Sequence, residues 1–407
     1  MATMRLLLFL ALYSVRIHVI SSLTDQNDAA VMMILRDSWK NTPSSWEHSD
    51  DPCGVPWEGV NCTGARVTEL RLSAMGLIGE LSTGYIGQLD ELTSLDVSFN
   101  PGITGRISPQ ISFLLKLNTL NLAGCSFSGS IPDQLGDIEQ LTFLALNSNN
   151  LSGTIPSALG QLSNLYLLDL SDNQLTGPLP ISTSTSPGGL DLLLKAEHFH
   201  LSNNQLSGSI PPELFSSEMR LIHLFLDGNK LTGVIPMTLG LVQTFEMVRL
   251  NRNTLTGSVP SNLNNLTNVN ELNLANNNLT GLLPDLTGMN SLNYVDLSNN
   301  SFDPSVAPLW FSTLPTLTTL VMEFGSLQGP VPENLFSLPE LQEVKLKYNT
   351  FNGTLNMGDN ISLQLELVDL QNNQISHLTI EEEYKDALIL KGNPICSGSL
   401  SNTTWCQ

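Results

Sequence analysis

The sequence predicts an α/β solenoid, a stack of short coils carrying a parallel sheet on its concave face, and three observations lead there. From residue 67 to about 376 one phrase returns, L-x-x-L-x-L-x-x-N-x-L-x-G-x-I-P, at a period of mostly 24 residues; copies include "LTFLALNSNNLSGTIP", "LYLLDLSDNQLTGPLP" and "VNELNLANNNLTGLLP". Aligned copies place thirteen residues at one ladder position: Met75, Asn100, Cys125, Asn149, Asn173, Asn204, Asn229, Asn253, Asn277, Asn300, Gly325, Asn349 and Asn373. The chain of 407 residues is also too long for one ordinary core, unless a repeat lets a single architecture keep growing. About 13 repeats are expected over 67–376, between an N-terminal cap over 23–66 and a C-terminal cap over 377–407.

Each element of the phrase has a physical role. In the strand L-x-L both leucines point one way, so every coil buries them against its neighbours and no coil is stable alone. The ladder Asn follows where the chain turns inward. Its amide both donates and accepts, which suits backbone groups that the turn would leave buried and unpaired. Gly supplies backbone freedom, and Pro is expected to hold the segment after it extended.

Two places break the rhythm. Between Asn173 and Asn204 the spacing grows to 31, the surplus falling in "ISTSTSPGGLDLL", which is expected to loop out on the side or back of the solenoid. At Gly325 one set of ladder bonds should be missing or replaced by water.

The ends and the composition bound the setting. Residues 1–22 combine Arg5, an apolar run of about ten residues and small residues near the predicted cut, the pattern of a secretory leader too short to span a bilayer. Sequons at Asn61, Asn150, Asn265, Asn278, Asn299, Asn352, Asn360 and Asn402 agree with passage through the secretory pathway. A net charge of −21 excludes nucleic acid and anionic membrane surfaces as partners. Cys53 with Cys62, and Cys396 with Cys406, each enclose a loop of about ten residues. In an oxidising compartment both are expected to be disulfides, each closure contributing about 2.5–3 kcal/mol. Cys125 occupies an inward ladder position, where a thiol behaves as a small hydrophobe.

Catalytic motifs are missing from the sequence: there is no phosphate-binding glycine loop, no kinase-type strand lysine and no nucleophile elbow. Residues 1–407 are not expected to be an enzyme, and no cofactor is expected. A binding site belongs on the concave strands. There the sixth to eighth coils offer His198 and His200, then His223 and Phe225, then Met247, Arg249 and Arg252. His198, His223 and Met247 should share one row; His200, Phe225 and Arg249 should share the next, with Asp169 beside His200. The alternatives are a solvated face balanced by Asp169 and Glu271, or a recognition patch for an acidic, sulfated or carboxylated ligand. A three-histidine metal site is set aside because no carboxylate or outer-shell partner can be shown, so no metal is expected. Neighbouring His198 and His223 should also resist joint protonation, making binding pH-dependent.

The Gly-x-Ile/Leu/Val-Pro half of the phrase resembles plant-type leucine-rich repeats. "DAAVMMILRDSWKNTPSSWEHSDDPCGVPWEGVNC" resembles their N-terminal cap, with a helix near Asp28 to Trp39. "SFNPGITG", "GCSFSGSIP" and "LKGNPIC" resemble the receptor-like kinase group that includes the plant extracellular hydrogen-peroxide sensor. The resemblance implies the extracellular sensing region of a plant receptor-like serine/threonine kinase at the plasma membrane, with its membrane span and kinase beyond Gln407. Its partners would be a protein, peptide or small extracellular ligand and a co-receptor ectodomain. A freestanding secreted binding or inhibitor protein of the cell wall is the alternative, in the apoplast.

Overall fold

The structure, a computed structural model, describes residues 24–81, 83–379, 382–397 and 400–407. The leader expected over 1–22 lies outside them. The described residues form the expected solenoid. Its main sheet has 15 strands in sequence order, beginning with an antiparallel hairpin of Val60–Thr63 and Arg66–Arg71 and continuing parallel to Leu388–Ile389. In strand after strand the central residue is buried and its two neighbours are half-exposed. That is the alternation of a strand with one face on a core.

The ladder asparagines bond as their chemistry requires. Asn149 donates through Nδ2 to the carbonyls of Leu122, Leu146 and Asn147, at 2.8, 3.1 and 3.1 Å, and its Oδ1 accepts from Phe127 N–H at 2.9 Å. Each such residue therefore ties its own turn to the preceding coil. Asn393 does the same for the last coil, donating to Leu370 and Leu390 and accepting from Ile375. At Gly325 the side-chain bonds are indeed absent, but the gap is filled: Met322 Cε lies 2.7 Å from where a Cβ would stand. Asn349 Oδ1 takes up the Gly325 N–H at 3.0 Å in addition to that of Leu327.

The second half of the phrase is more regular than the sequence indicates. After the ladder position a further strand forms, such as Asn150–Thr154 or Gln205–Ser209, and these strands build side sheets of seven, three and four members. The glycine of this strand, Gly153 for example, has φ +81°, a left-handed conformation that side-chain-bearing residues avoid. The expectation for Pro needs correction. Pro156 is itself extended, with φ −64° and ψ 130°, but the residues after it form the 3-10 turn Ser157–Gln161. Pro lacks an N–H and has a fixed φ, so it starts a helical turn at no loss of a donor.

The 31-residue spacing leaves the concave sheet undisturbed, since Leu167 pairs with His198 and Asp169 with His200. The surplus lies off that sheet. Ser182 N–H donates to Asp191 at 2.7 Å, and Ser186 Oγ contacts Ser157 Oγ at 3.1 Å on the preceding coil.

Both ends are closed. The cap helix, Gln26–Ser38, begins on Asp25, whose carboxylate accepts from Asn27 N–H. Behind it Trp46 stacks on Trp57 with ring centres 4.8 Å apart, both fully buried, and Cys53 is bonded to Cys62. At the other end Cys396 is bonded to Cys406, and Trp405 covers the last leucines while its carbonyl accepts from Leu390 N–H at 2.6 Å.

Candidate functional site

The sheet register places the sequence-predicted residues in two rows. His198 pairs with His223 and that with Met247, while His200 pairs with Phe225 and that with Arg249. The intervening Phe199, Leu224 and Val248 are fully buried, so the packed core sets the height and direction of the outward side chains. The histidine rings are in mutual contact. His198 Nδ1 lies 3.0 Å from His223 Nδ1, and His198 Nε2 lies 3.0 Å from Tyr166 Oη. His200 stacks on Phe225 at 4.6 Å and 12°, and His223 lies nearly parallel to the same ring at 5.3 Å.

The cations are partnered. Arg249 holds Glu271 with two bonds, at 2.6 and 2.9 Å, and its guanidinium carbon lies 4.5 Å from the centre of Phe225. Arg252 donates to Asp227 at 2.8 Å. Asp169 faces His200 Nδ1 at 3.6 Å, near enough to orient the ring but longer than a hydrogen bond. Burial, followed by repulsion from His200, lowers the pKa of His198. His223 is lowered further, to about 4, by burial first and then by His198, His200 and Arg249. Both imidazoles are accordingly neutral at neutral pH. Arg249 is raised, chiefly by its hydrogen bonds to Glu271.

Two members of the patch escape sequence reasoning. Tyr166 stands one residue before its strand, outside the L-x-L positions, and Asp227 lies beyond the strand, in a ladder turn. Only a search two residues to either side of each strand would have found both. An open cleft of about 1020 Å³ lies elsewhere, against the side sheet, lined by Glu80, Arg106, Gln110 and Asp133 among others. It is mostly polar and far in sequence from the patch. All eight sequon asparagines are exposed, and only Asn61 lies in a strand of the main sheet. The parallel concave surface is thus free of acceptor sites.

Comparison with known proteins agrees with the solenoid fold. Residues 25–63 match the family described as Leucine rich repeat N-terminal domain, and residues 116–138, 140–162, 164–185, 195–217 and 268–289 match the family described as Leucine Rich Repeat. A probable leucine-rich repeat receptor-like protein kinase of Arabidopsis thaliana is 52% identical over 392 residues, or 96% of this chain. The chain spans 41% of that relative's length. Among solved structures, the Arabidopsis receptor kinase HAESA, in complex with the peptide hormone IDA and the co-receptor SERK1, aligns with TM-score 0.76 and 29% identity over 91% of this chain and 66% of that one. The ectodomain of the Arabidopsis receptor kinase GASSHO1/SCHENGEN3, in complex with CASPARIAN STRIP INTEGRITY FACTOR 2, aligns with TM-score 0.76 and 27% identity over 90% and 50% of the two chains.

Proposed function

The chain belongs to the plant leucine-rich repeat receptor-like kinase family, and from that premise we propose that it is the ligand-recognition region of a cell-surface receptor whose span and kinase lie in the rest of the full-length protein. Its ligand is an extracellular peptide with a carboxylated or sulfated group, laid along the concave sheet, and a co-receptor ectodomain joins the complex. The observation that carries this is the double row of His198, His223 and Met247 beside His200, Phe225 and Arg249. Such rows present an aromatic floor and a guanidinium at fixed spacing. A ligand carboxylate would meet Arg249 from the side that Glu271 leaves open, and the stacked rings would hold an adjacent apolar group. The solved relatives in complex with a peptide hormone and with an integrity factor support a ligand of this class. Exposed sequons away from the parallel concave strands support both an extracellular location and a groove left clear of glycans.

The finer kinship, with the group that includes the plant peroxide sensor, rests on motif wording alone. Peroxide chemistry is not assigned to the one free thiol among the described residues, Cys125, which is buried and has its pKa raised to about 11 by desolvation.

The test uses the secreted ectodomain and a panel of synthetic peptides with free, amidated or sulfated ends, binding followed by interferometry. Any binder found should lose at least about tenfold in affinity when His223, Phe225 and Arg249 are all alanine, as expected for an anchoring cluster. Unchanged affinity for every binder in that triple variant would remove the patch from recognition.

A further inference from the structure

We propose that His198, His200 and His223 form a binding site for one divalent transition-metal ion of the zinc and copper type. The inference goes beyond the receptor function and stands whether or not a peptide binds the same face. One ring nitrogen from each histidine lies within 4.8 Å of the other two. Metal–imidazole bonds of about 2.0–2.1 Å put neighbouring ligand nitrogens roughly 3–4 Å apart, so small ring rotations on the existing strands are enough.

The surroundings set the tautomers needed. Tyr166 Oη sits 3.0 Å from His198 Nε2, so a proton on Nε2 has an acceptor and leaves the Nδ1 lone pair directed at the cluster. Asp169 faces His200 Nδ1 at 3.6 Å, and its charge favours the proton on that nitrogen, which leaves Nε2 as the ligand atom. That Nε2 atom is buried and has no hydrogen-bond partner in the described structure. A carboxylate, backbone carbonyl or water behind a ligating imidazole is the usual arrangement of metal-binding histidines, and Asp169 and Tyr166 Oη occupy those places here. The Nδ1 atoms of His198 and His223, 3.0 Å apart, form a hydrogen bond when one of them carries a proton. Metal entry requires the ring that carries it to shift that proton to its own Nε2, with no net release.

Charge and donor type agree. Arg249, stacked on Phe225, is neutralised by two bonds to Glu271, and the protein's net charge of −21 attracts cations. Three imidazole donors without a carboxylate in the ligand set favour zinc or copper over calcium or magnesium, which need oxygen donors. Half-exposed Phe225 stacks against His200 and His223 as an apolar floor, and the remaining coordination positions are left for water or a carboxylate.

The experiment is a calorimetric titration of the tag-free ectodomain with zinc chloride and with copper chloride, magnesium chloride serving as control. One equivalent of zinc or copper should bind, and the triple substitution His198→Ala, His200→Ala, His223→Ala should abolish it. Tyr166→Phe and Asp169→Asn should each weaken it by about 10–100-fold, the effect expected of an outer-shell partner. Metal-free melting curves show which variants are folded. X-ray absorption of the loaded wild type, which needs no variant, should show imidazole scattering from three rings. Absence of stoichiometric binding, equal binding of magnesium, retention of binding in a folded triple variant, or scattering from fewer than three imidazoles would each overturn the site.

Discussion

Asp28 on the cap helix and Arg66 on the first hairpin form a two-pronged pair, both contacts at 3.0 Å, and the aspartate is wholly buried. Asp28 also accepts from Val67 N–H at 2.8 Å, and the same arginine contacts Asp90. The pair therefore locks the cap to the first coil. Removing Arg66 leaves a buried carboxylate with only a backbone partner, and breaking a buried pair in this way costs about 3–5 kcal/mol. Arg66→Ala is expected to shift the urea midpoint accordingly. Lys116→Ala, which breaks the more exposed pair with Glu91, should change stability by less than about 1 kcal/mol. Equal small effects from both would show that the cap pair does not hold the solenoid end.

The ladder makes a second quantitative expectation. Asn229 Nδ2 serves the carbonyls of Leu201, Leu226 and Asp227, and its Oδ1 serves Leu206 N–H at 3.0 Å. Asn229→Ala strands several of these in a dry turn, and each buried unpaired group costs about 1–3 kcal/mol. A loss of roughly 2–4 kcal/mol in denaturant unfolding is expected, with faster amide exchange at Leu206 than in distant coils. Unchanged exchange at Leu206 would contradict the role assigned to the side chain.

The strands, the ladder and the two side-chain rows were legible because each depends on a fixed repeat. Once Leu168, Phe199, Leu224 and Val248 are aligned as core residues, the neighbours of each must share a row. Partners reached by long side chains were not legible. Asp227 meets Arg252, and Tyr166 meets His198, through rotamers outside the strand pattern. The side sheets were missed because "NLSGT" has the small polar composition of a turn; the left-handed Gly153 lets it remain paired to the next coil. Gly325 invited a water-filled gap, but the flexible Met322 side chain takes the space instead.

Cys125 should be chemically silent while the protein is folded. Its thiol donates to Val97 O at 3.3 Å, and burial pushes its pKa to about 11, with a smaller push from Asp96. Ordinary thiols titrate near about 8.5, so the thiolate needed for alkylation or peroxide attack is scarce here. Iodoacetamide or hydrogen peroxide at mildly alkaline pH should leave Cys125 unmodified by mass spectrometry until denaturant is added. Rapid stoichiometric labelling of the folded chain would show that the coil opens or that the thiol is accessible.

Asp296 should make stability depend on pH in the opposite sense to an ordinary paired carboxylate. It lies between Asn273 and Val321 on the main sheet, and burial raises its pKa, while bonds from Ser298 and the charge of Lys345 only partly offset this. The folded state consequently holds this proton to a higher pH than the unfolded chain, whose aspartates titrate near about 3.9. Stability from this group is complete below that unfolded value and is lost as pH rises through the folded one. Asp296→Asn keeps an Oδ1 acceptor for Ser298 N–H, a bond of 3.0 Å, but carries no charge at any pH. The variant should therefore gain on the wild type between acidic and neutral pH, with the difference shrinking toward pH 4, close to the unfolded pKa of about 3.9. Urea midpoints for both proteins across that range check this. A difference independent of pH, or one growing toward acid, would mean that Asp296 is held as a stabilised carboxylate and that burial does not dominate its ionisation.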